Sequence, residues 1–441
     1  MAIASLQGVL SSSKTFKAHI EPFFIHHVIP EFANPNPFIR YRAFWIVEFY
    51  SDTRWKDDNT FHSILRGCLS GLRDPCVPIR AAAATSMRLM FEDEKARETI
   101  KPILREVIEE YFKLMEEIDS TAVLGVVQSI VMQFGEELHS VAPAMIGKIM
   151  KSFAEYASEA GEDNDEAAFS ACECLETVHS ILETICDSHP HIIAEVEGHL
   201  VPVLLHVFVS GSECYEYLEN FVQILGFMTY YPDVIPAATW SLCGPLIFAL
   251  DEWAYDYMLE VSTPILNYLT KDVDVFLQLS HEGVSVLDRL LTVCEKALLS
   301  DESEAQREGK TGAVLLTCLV TSCEKKQLPR QLIAKVMEIV LTRIGKDALN
   351  NSKLPKKSKK KDSTMNVKLL ETAMAVIIYD TTYCMEVLKM NEPASKLLFN
   401  QLFVNLPNME DISTEKLIVM CFSNIMSCLP KQNLPQIVQD N

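Results

Sequence analysis

Asp74-Pro75-Cys76-Val77-Pro78-Ile79-Arg80, running into Ala81, Ala82, Ala83 and Ala84, is the stretch whose reading decides the fold. It has an echo upstream in Asn34-Pro35-Asn36-Pro37-Phe38-Ile39-Arg40, which runs into Ala43. Ile39 aligns with Ile79, Arg40 with Arg80 and Ala43 with Ala83, a spacing of 40 residues. A polar-proline turn that opens an arginine-bearing apolar helix, repeated at about that interval, is the signature of a helix-pair solenoid. Asn34 or Asp74 can cap its helix, and Pro35 or Pro75 fixes φ near the helix start. The arginine is expected to reach the cap residue of a neighbouring repeat, so that Asn34, Arg40, Asp74 and Arg80 form a ladder of charge-assisted bonds. The alanines let helices approach closely. Chance similarity of two helix starts is the competing explanation for two copies alone.

The bulk composition favours the repeat. The chain has 441 residues, too many for one compact core and ordinary for an array. Hydrophobic residues make up 49% and charged residues 22%, enough apolar content to fold. Glycine is scarce, with 15 residues, and strand-like patterning is nearly absent, so the expected class is all-α. The net charge of −21 argues against nucleic-acid binding and favours basic partners. The 13 cysteines show no metal-type or disulfide-type spacing and read as reduced thiols of a cytosolic or nuclear protein. The apolar run 200–209 is broken by Pro202 and His206 and is too short to span a bilayer, and no signal peptide opens the chain; membrane insertion is not expected.

Helical periodicity then marks the array in order. Residues 17–29 and 37–50 read as a first pair, 60–72 and 77–91 as a second. Residues 97–117 are strongly amphipathic, with Ile103, Leu104, Val107, Ile108, Tyr111 and Leu114 on one face and Arg105, Glu106, Glu109, Glu110 and Glu117 on the other. Their partner is 120–134. Pairs follow at 141–156 with 167–186, 192–209 with 214–230, and 235–250 with 253–269. A long helix is expected over 273–299, then helices at 312–323, 328–344, 366–390, 394–406 and 414–429. The expected organisation is a helical array over 1–345 with an acidic insert at 159–166, a basic linker over 346–364, and further helix pairs over 365–441 that read as truncated. Neither end carries a polar capping repeat, which points to a piece of a longer solenoid or a shortened relative.

Catalytic and cofactor signatures are lacking. No phosphate loop, nucleophile elbow, zinc-protease or calcium-loop pattern occurs, so no enzyme, metal or cofactor is expected. His26-His27 and His189-Pro190-His191 lack a third ligand at metal spacing. The acidic insert is the first functional candidate. Glu159, Glu162, Asp163, Asp165 and Glu166 are either a solvated loop or an electrostatic clamp for a basic partner. Lys356, Lys357, Lys359, Lys360 and Lys361 read as a nuclear-localisation peptide, a solvated linker or an internal partner for the acidic surface.

Several stretches resemble one known family. Tyr41-Arg42-Ala43-Phe44-Trp45-Ile46-Val47-Glu48-Phe49-Tyr50, followed by Trp55-Lys56-Asp57-Asp58, is similar to a repeat of the importin-β (karyopherin-β) nuclear transport receptors, most of all the branch of importins seven and eight. Val77-Pro78-Ile79-Arg80-Ala81-Ala82-Ala83 and the segment from Glu94 to Pro102 continue the likeness. So do Phe248 to Tyr257, with Asp251-Glu252-Trp253, and Pro264 to Asp274. The likeness covers about 20–345 and corresponds to the middle and later receptor. It implies a right-handed α-α superhelix of about nine HEAT repeats, an armadillo-like solenoid, and import of protein cargo under control of the Ran GTPase through FG-repeat nucleoporins. Another importin-β is a further candidate partner, and the implied location is nucleus and cytoplasm. The family's main Ran surface lies in N-terminal repeats to which nothing in this chain corresponds. Asp251, Glu252 and Asp256 join the insert as candidate cargo-facing residues. The rival expectation is a static HEAT-repeat scaffold subunit of a multiprotein complex.

Overall fold

Two short turns set the first repeats. Asn36 caps the helix Pro37–Phe49, its side chain accepting from the Phe38 N–H at 3.0 Å. Cys76 stands at the same place before Val77–Ser86. The cap therefore lies two residues later than Asn34 and Asp74, and the prolines inside the helix starts are Pro37 and Pro78, not Pro35 and Pro75. The reason is local. Asn34 Oδ1 accepts from the Asn36 N–H at 2.8 Å and Asp74 Oδ1 from the Cys76 N–H at 2.9 Å. These side chains shape the approach to the helix and leave the cap to the residue after the first proline.

The computed structural model describes residues 2–51, 53–118, 121–160, 164–300, 306–324, 327–353 and 363–428. They fall into two compact units, 1–200 and 201–441. The first holds α1 (Ala2–Ser5), α2 (Gln7–Ser12), α3 (Lys14–Phe23), α4 (Pro37–Phe49), α5 (Asp58–Gly71), α6 (Val77–Ser86), α7 (Glu94–Ile100), α8 (Leu104–Glu117), α9 (Thr121–Phe134), α10 (Ala142–Glu159) and α11 (Asp165–Ile185). α4, α6, α9 and α11 pack in sequence as one layer, and α5, α8 and α10 pack on α6, α9 and α11 as the other. The small residues allow this closeness. A Cβ placed on Gly71 would come within 2.7 Å of the Ala83 Cβ and 2.6 Å of the Phe44 ring. α8 buries Leu104, Val107, Ile108, Tyr111, Phe112 and Leu114; Phe112 joins the expected face and Ile103 drops to its margin. Each such large side chain removed from water contributes about 1.5–3 kcal/mol. The Tyr111 hydroxyl is buried with it and donates to Ala84 O at 3.0 Å.

α12 (Ile192–Ser210) follows. By length and composition it could cross a membrane, yet Glu195, Glu197 and His199 stand in its first half, and Ile192, Ile193, Val196, Leu200, Leu204 and Phe208 form one buried stripe, as in a core helix. The second unit continues with α13 (Leu218–Tyr230), α14 (Ala237–Trp240), α15 (Cys243–Glu252), α16 (Met258–Lys271), α17 (Val273–Gln278), α18 (Val286–Leu299), α19 (Gln306–Ser322), α20 (Arg330–Lys353), α21 (Ser363–Tyr379), α22 (Thr381–Met390), α23 (Glu392–Asn405) and α24 (Ile412–Cys428). α13, α16, α19, α21 and α24 make one layer; α15, α18 and α20 pack on α16, α19 and α21. Polar cross-links between layer helices are short. Asn267 Nδ2 donates to Thr229 Oγ1 at 3.0 Å, Thr372 Oγ1 to Ala313 O at 3.0 Å, and Thr414 Oγ1 to Glu371 Oε1 at 2.7 Å.

The expected helix 273–299 is in fact broken. A two-residue hairpin, Ser280–His281 against Val284–Ser285, separates α17 from α18. Glu282 and Gly283 take φ of 51° and 77°, the left-handed pair that a tight hairpin turn needs. The expected helix 366–390 is likewise two helices. Asp380 ends α21 and caps α22 by accepting from the Tyr383 N–H at 3.1 Å. The lysines at 356–361 lie outside the described residues, whereas α20 extends to Lys353.

Candidate interaction surface

Most of the expected site residues stand in or beside the turns inside the helix pairs. In the first unit they are linked by arginine. Arg40, on α4, grips Asp74 with two bonds, Nε to Oδ2 at 2.8 Å and Nη2 to Oδ1 at 3.1 Å, and donates from Nη1 to Asn34 O at 2.8 Å. Arg80, on α6, repeats the gesture by donating to Asp74 O at 3.1 Å and to the Glu117 carboxylate at the end of α8. Asn34, Arg40, Asp74 and Arg80 are thus in one chain of contacts, but Asn34 takes part through its backbone carbonyl. The rule is an arginine bound to the carbonyl six residues before it. Arg97 obeys it with Phe91 O at 3.3 Å and reaches Gln133 at 2.9 Å. Sequence reading missed this member, although the six-residue interval was visible. Burial favours protonation of Asp74, but the Arg40 bond, the Cys76 N–H and the Arg80 charge outweigh it and hold the carboxyl below its usual range.

The acidic insert is a later turn of this unit, between α10 and α11. Glu159 ends α10, and Asp165 and Glu166 open α11; all three are exposed. Asn164 ties the turn, donating to Glu159 O at 3.1 Å and accepting from the Ala167 N–H at 3.3 Å as the cap of α11. Asp165 and Glu166 therefore sit where the helix dipole favours negative charge. Glu162 and Asp163 lie outside the described residues.

In the second unit Asp251 and Glu252 converge on one cation. Arg289 Nη1 lies 3.2 Å from Asp251 and 3.7 Å from Glu252. Its guanidinium stacks 4.8 Å from the Phe248 ring, which also meets His281 of the hairpin at 5.4 Å. Arg289 and Asp251 are largely covered, so Asp251 is engaged within the fold, while Glu252 and Asp256 are exposed.

Nothing in the described residues resembles a reaction centre. No group of three His, Cys, Asp or Glu among them could hold a metal. His189 stacks on His139 at 4.4 Å and meets His191 at 5.7 Å, a ring cluster and no ligand set. Burial pushes the Cys68 and Cys294 thiols up to about 12, far from a thiolate nucleophile.

No protein-family profile matches the chain. Individual proteins do. A protein described as an importin-7 homolog of Dictyostelium discoideum is 24% identical over 435 residues, 98% of this chain and 39% of the relative. The importin beta-like SAD2 homolog of Arabidopsis thaliana is 27% identical over 323 residues, 72% of this chain and 31% of the relative. Human importin-8 is 23% identical over 381 residues, covering 86% and 34%. The resemblance is to the importin-β superfamily, in the branch of importins 7 and 8. A solved structure of the exportin Cse1 in its cargo-free, cytoplasmic state matches 91% of this chain and 40% of that one with a TM-score of 0.59 at 14% identity. That likeness gives the fold alone, an all-α HEAT-repeat solenoid. The chain spans about a third of the length of the curated importin relatives it matches.

Proposed function

We propose that this chain is the cargo-engaging segment of an importin-type nuclear transport receptor, one that binds basic protein cargo and carries it through the nuclear pore under Ran control. The carrying observation is the similarity to an importin-7 homolog along 98% of the chain. The net charge of −21 supports a basic cargo, because a surface of one sign raises the local concentration of the other. The proposed contacts are the exposed carboxylates of the turns inside helix pairs, Glu159, Asp165, Glu166, Glu252 and Asp256, with Glu162 and Asp163 of the same insert. FG-repeat nucleoporins and Ran are the proposed further partners, and shuttling between nucleus and cytoplasm follows from them.

A pull-down from cell extract with the 441-residue chain, with and without GTP-locked Ran and read by mass spectrometry, tests this. The expected result is a set of basic proteins that Ran releases. Basic proteins indifferent to Ran would restrict the role to cargo binding. One stoichiometric, non-basic partner in both samples would replace the proposal with a fixed scaffold.

A further inference from the structure

The second unit joins two of its turns with tyrosine where the first unit uses arginine. Tyr215, in the turn before α13, meets Tyr257, in the turn before α16, edge to face at 5.0 Å. The two stand 42 residues apart, the interval of one helix pair. Around them lie Glu216, Glu219 and Asp256, all exposed and without an ion pair among the described residues. Glu260 completes the group. Arg307 donates to its Oε1 at 2.6 Å, and its Oε2 is buried with no hydrogen-bond partner among the described residues. Burial first, then the Tyr215 phenol, then the charges of Glu219 and Glu260 push the Tyr257 phenol up, which places both carboxylates close to the ring pair.

The chain itself shows what such rings accept. The Lys296 ammonium rests 4.2 Å above the Tyr255 ring, two residues from Tyr257. A ring face takes a cation electrostatically, and nearby carboxylates add to the attraction. Tyr215 is 39% exposed and Leu259 45%, so ring and methyl surface remain for the aliphatic stem of a lysine or arginine. We infer that Tyr215, Glu216, Glu219, Asp256, Tyr257 and Glu260 form a binding edge for a lysine- or arginine-rich segment of a protein partner. The inference rests on the basic-cargo reading and gives it an address in the second unit. Two features select such a partner over an acidic or apolar one. Among the described residues three carboxylates there have no ion pair, and the partly exposed Tyr215 ring stands beside them.

The test is fluorescence anisotropy of a fluorescein-labelled oligolysine peptide titrated with the full chain at physiological salt. Glu216→Lys with Asp256→Lys should weaken binding about tenfold. Tyr215→Leu should weaken it about threefold, and the residual Tyr215 effect should persist at higher salt, because ring stacking on the side-chain stem is not screened. Circular dichroism checks that each variant folds; the neutral pair Glu216→Gln with Asp256→Asn, which should lose about threefold, replaces the reversal if that variant does not fold. Wild-type binding that all these variants match would overturn the edge and leave the basic-cargo reading standing. Failure of the wild-type chain to bind the peptide would overturn both.

Discussion

The turns inside helix pairs solve the same problem in two ways. In the first unit arginine joins them, Arg40 to Asp74 and Arg80 to Asp74 and Glu117. In the second, tyrosine joins the turns at 211–217 and 253–257 through Tyr215 and Tyr257, while Arg289 closes on Asp251 at the end of α15. Both devices fix one repeat on the next, yet they leave different surfaces. An arginine spends its charge on the carboxylates it joins. A tyrosine pair leaves Glu216, Glu219 and Asp256 without an ion pair among the described residues and adds two ring edges beside them. The acidic insert falls between these cases, since Asp165 and Glu166 also serve the start of α11. Carboxylate number alone therefore does not mark a binding surface; what each carboxylate already touches does.

The contrast can be broken most sharply by paired charge reversals. Glu159→Lys with Glu166→Lys in the insert should weaken oligolysine binding about threefold, against about tenfold for the tyrosine edge, measured by the same anisotropy titration. The reverse order would show that free charge density outranks the rings. A smaller effect concerns the structural use of the insert. Asn164→Ala removes the α11 cap and should cost about 1 kcal/mol, lowering the melting temperature of the first unit by a few degrees in calorimetry. An unchanged transition would mean that the turn is not held by its cap.

Acid sharpens the arginine side. The Asp74 carboxyl is held below its ordinary value near 3.8 in the folded chain, so its contribution to stability is complete above that value and is lost as pH falls through the folded value. Asp74→Asn should flatten the acid limb of a denaturation series below about pH 4, while Glu216→Gln should leave that limb unchanged. The smallest expected change is from salt. Raising salt several-fold should weaken oligolysine binding to wild type and Tyr215→Leu alike and keep their ratio near three, since screening acts on the charges and not on ring contact.

The repeat was legible because its determinants are local in sequence. Proline turns, alanine-rich helix starts and the apolar period of α8 declare themselves within a dozen residues. Where determinants were equally local but finer, the reading slipped. Asn34 and Asp74 turned out to shape the turn while Asn36 and Cys76 hold the cap position, and Glu282-Gly283 broke a helix that apolar periodicity alone extended.

Sequence by itself determined the all-α class, the spacing of about 40 residues, the importin-like character and the excess of negative charge. Tertiary structure alone decided which charges remain available. Arg289 closes on Asp251 from 38 residues away, Arg40 on Asp74 from 34, and Tyr257 meets Tyr215 from one repeat back. The physical reason is that an ion pair or a ring contact is set by distance in space, and in a stack of helix pairs the neighbours across a repeat are tens of residues apart in the chain.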